Sequence, residues 1–497
     1  MRAVIIGFFL LFGSQCHLAC QPYFDYHDGV AQAYHQILQL RTDIARKHID
    51  SLKVLEPDNL ALLHIENYID FFTVFLGEQE FDLQVFKENK DRRLETIRDQ
   101  DIDSPYWRFA QAEIMLQYAL ARSKFGQYVR AGWDINRANK LLARNLREYP
   151  NFQLSYKSLS VIHALVGSIK GFKRSIISLF TSLKGSYEQG VSEISLLYNA
   201  EHDQKSIFDK EIQVLRALIS YHIEEDQEAA RSFITDLGLE QTQSPLIDFV
   251  RYTITHSISD IEEDPLEILL TAQGRPYDTP FLYLDLLIGI NLLQRGDKSA
   301  NDYLIKYIRQ FNGRHYVKEA YQKMAWYELI INDDESAYIN WMEELTHVGN
   351  NEIGEDQQAH AEAEEKIVPN KHLLKARLFL DGGFYQEGLS ALQEIDSKTL
   401  KKEEELEYLY RKSRLLQKLN KDMEALEMYK KVLALGSTSK KYYACNAALQ
   451  SGIIYYNLDM LRQAKSMWML CLEISPEEHQ ESLHQKANNW LLKTKGL

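Results

Sequence analysis

Helix breakers are scarce in this chain: ten prolines and 23 glycines punctuate 497 residues. With so few stops, and with Leu, Ala, Glu, Lys and Gln abundant, the composition favours helices over a turn-rich β fold. Cysteine is scarcer still. Four are present, and only Cys445 and Cys471 lie beyond the first 20 residues, which excludes a disulfide framework. After residue 12 no apolar run approaches the ~20 residues that a membrane-spanning helix needs. Positive charge is not in excess either. The formal net charge is −14, so the chain lacks the basic face with which a general nucleic-acid binder meets phosphates.

Motifs that carry chemistry are missing as well. There is no G-x-x-x-x-G-K-[ST] to cradle phosphates, no G-x-G-x-x-G, no G-x-S-x-G, no H-E-x-x-H and no C-x-x-C. "EEHQESLH" (Glu477 to His484) places Glu481 three residues before His484, but a carboxylate-bridged metal site needs a second such pair, which is not found. It reads as a solvated face, and "HIEED" (His222 to Asp226) as a charged helix end. No catalytic residue, metal or cofactor is therefore assigned.

What the chain does have begins at its N-terminus. Arg2 precedes the apolar core "AVIIGFFLLF" (Ala3 to Phe12), which is too short to span a bilayer and suits an export signal over residues 1–20. Two processing routes stay open. "SQC" (Ser14 to Cys16) suits simple cleavage. "HLAC" (His17 to Cys20) resembles a lipoprotein box that would lipidate Cys20, although His17 stands where that pattern wants Leu. The expected location is exported: periplasmic, or an outer-membrane lipoprotein touching the membrane only through its anchor.

The rest is organised by repetition. From Cys445, small residues recur at Gly452, Ala464 and Cys471, aromatics at Tyr455 and Trp468, and Pro476 closes the unit. The preceding unit, from Leu406, puts Leu409, Ser413, Leu416, Ala425, Tyr429, Val432 and Ser437 at the corresponding places. One from Pro369 has Ala376, Phe379, Gly388, Leu392 and Ile395. This spacing resembles the tetratricopeptide repeat (TPR), a helix–turn–helix unit of 34 residues. The resemblance implies an all-α, right-handed superhelical solenoid of antiparallel helix pairs, with units at about 369–402, 406–439 and 445–478. Upstream the pattern thins to Tyr321, Met324, Ala325, Ala337 and Trp341, to Ala138, Leu142 and Pro150, and to Ala45, Ile49, Leu52 and Pro57. The expected domains are thus a degenerate helical region at 21–245, TPR-like units at 246–350, an acidic linker at 351–368 and the regular array at 369–497.

Two stretches break the rhythm. Gly349 to Asn370 is acidic and reads as a loop or exposed helix. Val166 to Gly190, with "SIISLF" among glycines and cations, reads as an amphipathic helix packed on the solenoid, with a bilayer-touching segment as the alternative. That glycine-rich segment is loosely similar to one in the inclusion-body-clearance TPR family.

In TPR proteins the first helix of each pair lines a concave groove. Carried over, the groove residues are Asn370, Arg377, Asp381, Tyr410, Arg414, Gln417, Lys418, Asn446, Tyr456 and Asn457. Arg377 and Arg414 share one position in successive units, a cationic rung suited to an acidic or carboxylate-ended peptide. The family's carboxylate clamp is not reproduced, since Leu373 and Arg377 occupy its places. A Cys445–Cys471 disulfide is geometrically open, against simple packing of a small apolar thiol. The favoured function is a non-catalytic scaffold of the bacterial cell envelope that binds a protein or peptide. A SusD-like glycan binder, using its 29 tyrosines and six tryptophans, is the alternative, and an all-helical enzyme comes third. Oligomeric state is left open.

Overall fold

The computed structural model describes residues 21–100, 102–168, 183, 185–201, 206–221, 227–235, 243–256, 263–396 and 398–494. The expected signal segment with Cys16 and Cys20, the "SIISLF" stretch and the His222–Asp226 cluster lie outside the described residues. Among the described residues regular structure is helical, and the only β feature is an isolated parallel bridge between Tyr23 and Asn59. The chain divides into two compact units: Met1–Phe75, Glu80–Ser244 and Pro276–Thr279 in the first, and Leu76–Gln79, Pro245–Arg275 and Pro280–Leu497 in the second.

The first unit is built from α1 (Asp28–Leu38), α2 (Thr42–Leu55), α3 (Ala61–Gly77, as far as Phe75), α4 (Glu80–Arg98), α5 (Pro105–Ser123), α6 (Tyr128–Glu148), α7 (Ser155–Ser168), α8 (Tyr187–Glu201), α9 (Asp209–Ile219) and α10 (Gln227–Thr235). Neighbours in sequence pack as pairs: α1 on α2, α5 on α6, α7 on α8 and α9 on α10. The starts and stops are local chemistry. Ser104 caps α5 by accepting a hydrogen bond from the Tyr106 N–H, and Pro105 fills the first helical position, where a missing N–H costs nothing. Of the residues in the thin upstream pattern, Ala45, Ile49 and Leu52 are buried on α2, and Ala138 and Leu142 on α6.

A polar knot crosses the middle of this unit. Lys157 on α7 is 1% exposed and donates to Glu113 on α5 (2.6 Å), Glu211 on α9 (2.8 Å) and the Tyr68 hydroxyl on α3 (3.1 Å). Tyr34 on α1 donates to the same Glu211 oxygen at 2.6 Å. The rings of Phe208 and Phe109 face the ammonium at 5.0 and 5.9 Å. Burial raises the pKa of Glu113 despite the opposing Lys157 charge, and burial with Lys157 holds His64 well below the usual imidazole range, hence neutral. One cation thus satisfies two carboxylates and links four helices, with α1 joining through Glu211.

The second unit continues with α11 (Pro245–Thr255), α12 (Pro265–Gly274), α13 (Tyr283–Leu293), α14 (Ala300–Gln310), α15 (Val317–Tyr327), a π turn at Glu328–Asn332, α16 (Glu335–Leu345) and α17 (Gly354–Glu365). It ends with α18 (Lys371–Asp381), α19 (Tyr385–Gln393), α20 (Lys402–Lys418), α21 (Asp422–Gly436), α22 (Tyr443–Asn457), α23 (Leu461–Glu473) and α24 (Gln480–Lys493). Helices pair as α18–α19, α20–α21 and α22–α23, and each first helix also packs on the first helix of the next pair. Small residues set this spacing. A Cβ added to Gly452 on α22 would lie 2.3 Å from Trp468 Nε1 on α23, and one added to Gly388 on α19 would lie 2.7 Å from Leu415 Cδ2 on α20. Ala464, Trp468 and Cys471 are fully buried in the same layer.

The turns inside the pairs share one lock. Leu40, Gly126, Gly296, Gly383, Asn420 and Asp459 all have left-handed φ between the two helices of a pair. In each case the next N–H folds back onto a carbonyl five residues earlier, as in Lys421 to Leu416 (2.9 Å) and Met460 to Tyr455 (2.8 Å). Gly, Asn and Asp suit that position because they tolerate the left-handed region, whereas Leu40 has no such excuse and adopts it under the packing of its neighbours. The acidic stretch after Gly349 forms α17, whose Asp356, Ala359 and Ala363 are buried and which packs on α15.

The knot generates a stability test. Lys157→Met leaves two carboxylates buried without their cation and is expected to cost about 3–5 kcal/mol. Adding Glu113→Gln and Glu211→Gln is expected to restore most of the loss. Urea titrations of the three proteins check the order; a neutral Lys157→Met would contradict it.

Candidate functional site

The first helices of the last pairs bring one set of side chains to a common cleft of about 300 Å³ in the second unit. Asp381 comes from α18; Tyr410, Arg411, Arg414 and Lys418 from α20; Tyr442 and Asn446 from the start of α22; His479, Ser482 and Lys486 from α24. A second cleft of about 400 Å³ shares Arg411, Tyr442 and His479. Its other wall is α17, with Gln358, Glu362 and Glu365 facing Arg377, Lys441 and Tyr443.

Local hydrogen bonding fixes how these groups point. Asn446 Nδ2 donates to the Tyr410 hydroxyl at 2.7 Å, and Gln450 Nε2 donates to Asn446 Oδ1 at 3.2 Å. Gln417 Nε2 donates to Gln450 Oε1 at 3.2 Å, while Gln417 Oε1 accepts from Tyr429 (2.7 Å) and from Arg414 Nη1 (2.9 Å). A relay of amides thus runs from Tyr410 to Arg414 and holds the guanidinium from behind. Behind the first cleft, Arg411 is 4% exposed, pairs with Glu407 at 3.0 Å, and lies 5.5 and 5.7 Å over the rings of Tyr410 and Tyr443. Burial, reinforced by the neighbouring Tyr442, holds the Tyr410 hydroxyl well above the ordinary phenol range, so it stays protonated.

The two arginines expected to form a rung differ in state. Arg377 lies 4.6 Å over the Trp326 ring and 3.8 Å from Glu362, so its charge is answered within the fold. Trp326 is held in turn by its indole N–H, which donates to Glu362 at 2.8 Å. Arg414 has no carboxylate within ion-pair distance among the described residues. Lys441 is the reverse case. Against the cost of burial, Glu365 (2.8 Å) and Glu478 (2.9 Å) hold its pKa above the usual value.

Of the other expected groove residues, Asp381, Tyr410, Lys418 and Asn446 line the first cleft. Gln417 supports Arg414 from behind. Asn370 is the N-cap of α18, its side chain accepting from the N–H groups of His372 and Leu373. Tyr456 packs against both Trp468 and Trp490, with ring centroids at 6.1 and 5.1 Å, and Asn457 is exposed at the end of α22. Sequence reasoning missed Arg411, Tyr442, Gln450, His479 and Lys486. Tyr442 falls before the unit boundary at Cys445. His479 falls within Glu477 to His484, which the sequence reads as a solvated face, and Lys486 lies just beyond it; the stretch leads into α24, whose Leu483 and Ala487 are buried. His484 on it bonds the Ile474 carbonyl at 2.9 Å. Cys445 and Cys471 are both buried and unbridged, with sulfurs 3.5 Å apart.

No family model matches the chain, and no curated protein matches it. The side chains lining the first cleft set its chemistry. They are mostly hydrogen-bond donors: a guanidinium, ammonium groups, a hydroxyl and a carboxamide. Such a set recognises carboxylates and similar anions.

One wall of the second cleft predicts a pH dependence. Asp356 on α17 accepts from the N–H groups of Tyr316 (2.7 Å) and Glu319 (3.0 Å) at the start of α15, yet burial raises its pKa to about 6. A carboxyl with a raised native pKa binds its proton more tightly folded than unfolded, so its contribution falls as pH rises from about 4 to about 6. Asp356→Asn cannot titrate. Relative to this variant, the wild-type chain is expected to lose about 2 kcal/mol of stability between pH 4 and pH 7. Urea midpoints for both proteins at the two pH values check it; parallel pH profiles would contradict it.

Proposed function

We propose that the chain is an exported, non-catalytic helical-repeat protein of TPR type. Its C-terminal first helices hold an acidic peptide segment of a protein partner in the cell envelope. The observation that carries this reading is Arg414. A guanidinium is held in place by Gln417, lines an open cleft, and has no carboxylate within ion-pair distance among the described residues. A partly buried cation without a counter-charge gains from a ligand that brings one. Exposed Lys486 on the same cleft extends the positive potential, and Asn446 and Tyr410 add oriented polar atoms of no net charge. An extended chain fits because donors from successive helices are spaced along its length. The twelve N-terminal residues from Met1 to Phe12 support the export part of the reading.

Two observations weigh against the other classes. Trp468 and Trp490 stack on each other at 5.3 Å and do not line the cleft, which leaves fewer open aromatic platforms for a sugar. In the first unit, Glu113, Glu211 and His64 cluster as acid–base groups would, but their burial is accounted for by Lys157 and the tyrosines around it.

Binding to a synthetic array of acidic, neutral and basic ten-residue peptides tests the proposal. The full chain is expected to retain acidic peptides selectively and to lose them as salt rises. Lys486→Glu combined with Arg414→Gln is expected to weaken that binding about tenfold or more while the melting temperature stays within about 2 °C. Indifference to peptide charge, or unchanged binding by the double variant, would overturn it.

A further inference from the structure

We propose that Cys445 and Cys471 are a modification site: a dithiol that closes to an intramolecular disulfide and pins α22 to α23. This inference is independent of the peptide-binding reading. The two thiols are fully buried, one in the first turn of α22 and the other near the end of α23, with their sulfurs 3.5 Å apart. A disulfide needs about 2.0 Å between sulfurs, a closure within reach of small side-chain rotations when the backbones already oppose each other. The two helices that carry these thiols pack on each other as a pair. Cys445 Sγ also lies 3.4 Å from the Cys471 carbonyl oxygen, so the side chain of one residue reaches the main chain of the other. At their far ends the same helices are joined by the Leu458–Met460 turn, locked by the Met460 to Tyr455 hydrogen bond. The bond would therefore fasten the pair at both ends.

Packing alone is a weaker account of this arrangement. Two small apolar side chains meeting in a core ask only for volume, which alanine supplies at Ala444, Ala448 and Ala464 in the same cluster. Here the facing positions both carry sulfur, and they are the only cysteines beyond the first 20 residues. The thiols also sit in different environments. As hydrogen-bond donor, Cys471 holds Cys445 below the ordinary thiol range, which makes Cys445 the better first nucleophile.

The chemistry requires a disulfide-class oxidant, either a small-molecule or a protein disulfide. Cys445 loses its proton, and its thiolate attacks one sulfur of the donor. The donor S–S bond breaks, and one donor thiolate leaves with a mixed disulfide remaining on Cys445. Cys471 then loses its proton, and its thiolate attacks the Cys445 sulfur, displacing the second donor thiolate. Two electrons pass from the chain to the donor, and the two protons end on the donor's thiols. Burial of both thiols means that the first attack occurs during folding or on local opening of this helix layer.

The test uses the full chain and glutathione disulfide as oxidant. Reduced protein is incubated with the oxidant, both folded and while refolding from urea, then blocked with N-ethylmaleimide and digested with trypsin. The expected product is a reducible cross-link between peptide 442–462, which carries Cys445, and peptide 466–486, which carries Cys471. The oxidised chain is expected to melt roughly 5 °C higher, a shift that dithiothreitol abolishes. Cys445→Ser is expected to lose both the cross-link and the dithiothreitol-sensitive shift, which separates bond formation from a mere packing role. Recovery of both peptides in alkylated form under both regimes, or cross-links only to Cys16 or Cys20, would overturn the proposal.

Discussion

A close approach between two C-terminal helices is the contact on which the candidate site depends. Gly452 meets the indole of Trp468 at a distance that leaves no room for even a methyl group. Trp468 in turn stacks on Trp490 of α24 and packs beside Tyr456. The spacing of α22, α23 and α24 is therefore dictated by one absent side chain and one large one, and interiors packed to crystal density do not absorb a change at such a contact. The first helices carry Arg414, Asn446 and Lys486 at that spacing. Enlarging the residue at 452 would push α22 from α23 and misplace the side chains across the cleft without touching any of them.

Apolar packing sets distances, but the polar contacts set identity. In the first unit one ammonium ties α3, α5, α7 and α9 together, because Glu113 and Glu211 have no other buried cation beside them among the described residues. In the second unit α17 does the equivalent with anions: Asp356 holds the start of α15, and Glu362 bonds Trp326 and Gln322. Such groups add little net stability over well-packed hydrocarbon. Their effect is to make alternative pairings of similar apolar faces costly, since a misregistered helix would strand a charge. In a protein assembled from many look-alike helices that discrimination has obvious use, and both units show it.

How much of this could be read from sequence depends on the range of the interaction involved. The pairing within 369–497 was legible because small and aromatic residues recur at fixed offsets, and Gly452, Ala464 and Trp468 stand buried where those offsets place them. The left-handed turns at Gly383, Asn420 and Asp459 were half legible through residue type, whereas Leu40 gave no local sign, its conformation being imposed by neighbours. The acidic composition of 351–368 pointed outward, and yet α17 buries Asp356 because the N–H groups of α15 need an acceptor there. That requirement comes from a segment some 40 residues away and leaves no periodic trace. Likewise Gln450 emerges as part of the relay behind Arg414 only when α20 and α22 are side by side.

The contrast between Arg377 and Arg414 states the same limit in terms of binding. By repeat position they are equivalent, and sequence reasoning treats them as two copies of one feature. In space Arg377 is spent: Trp326 takes its face and Glu362 stands across from its charge. Arg414 is only oriented, by an amide oxygen that offers geometry without neutralising charge. A ligand carboxylate arriving at Arg377 must displace an internal partner, so its gain is a difference between two similar ion pairs. At Arg414 no internal carboxylate has to be displaced among the described residues, and the arginine is already held in place before the ligand comes. If the proposed binding holds, affinity at this cleft is decided less by which residues the sequence spacing brings there than by which of them the rest of the fold has left unsatisfied.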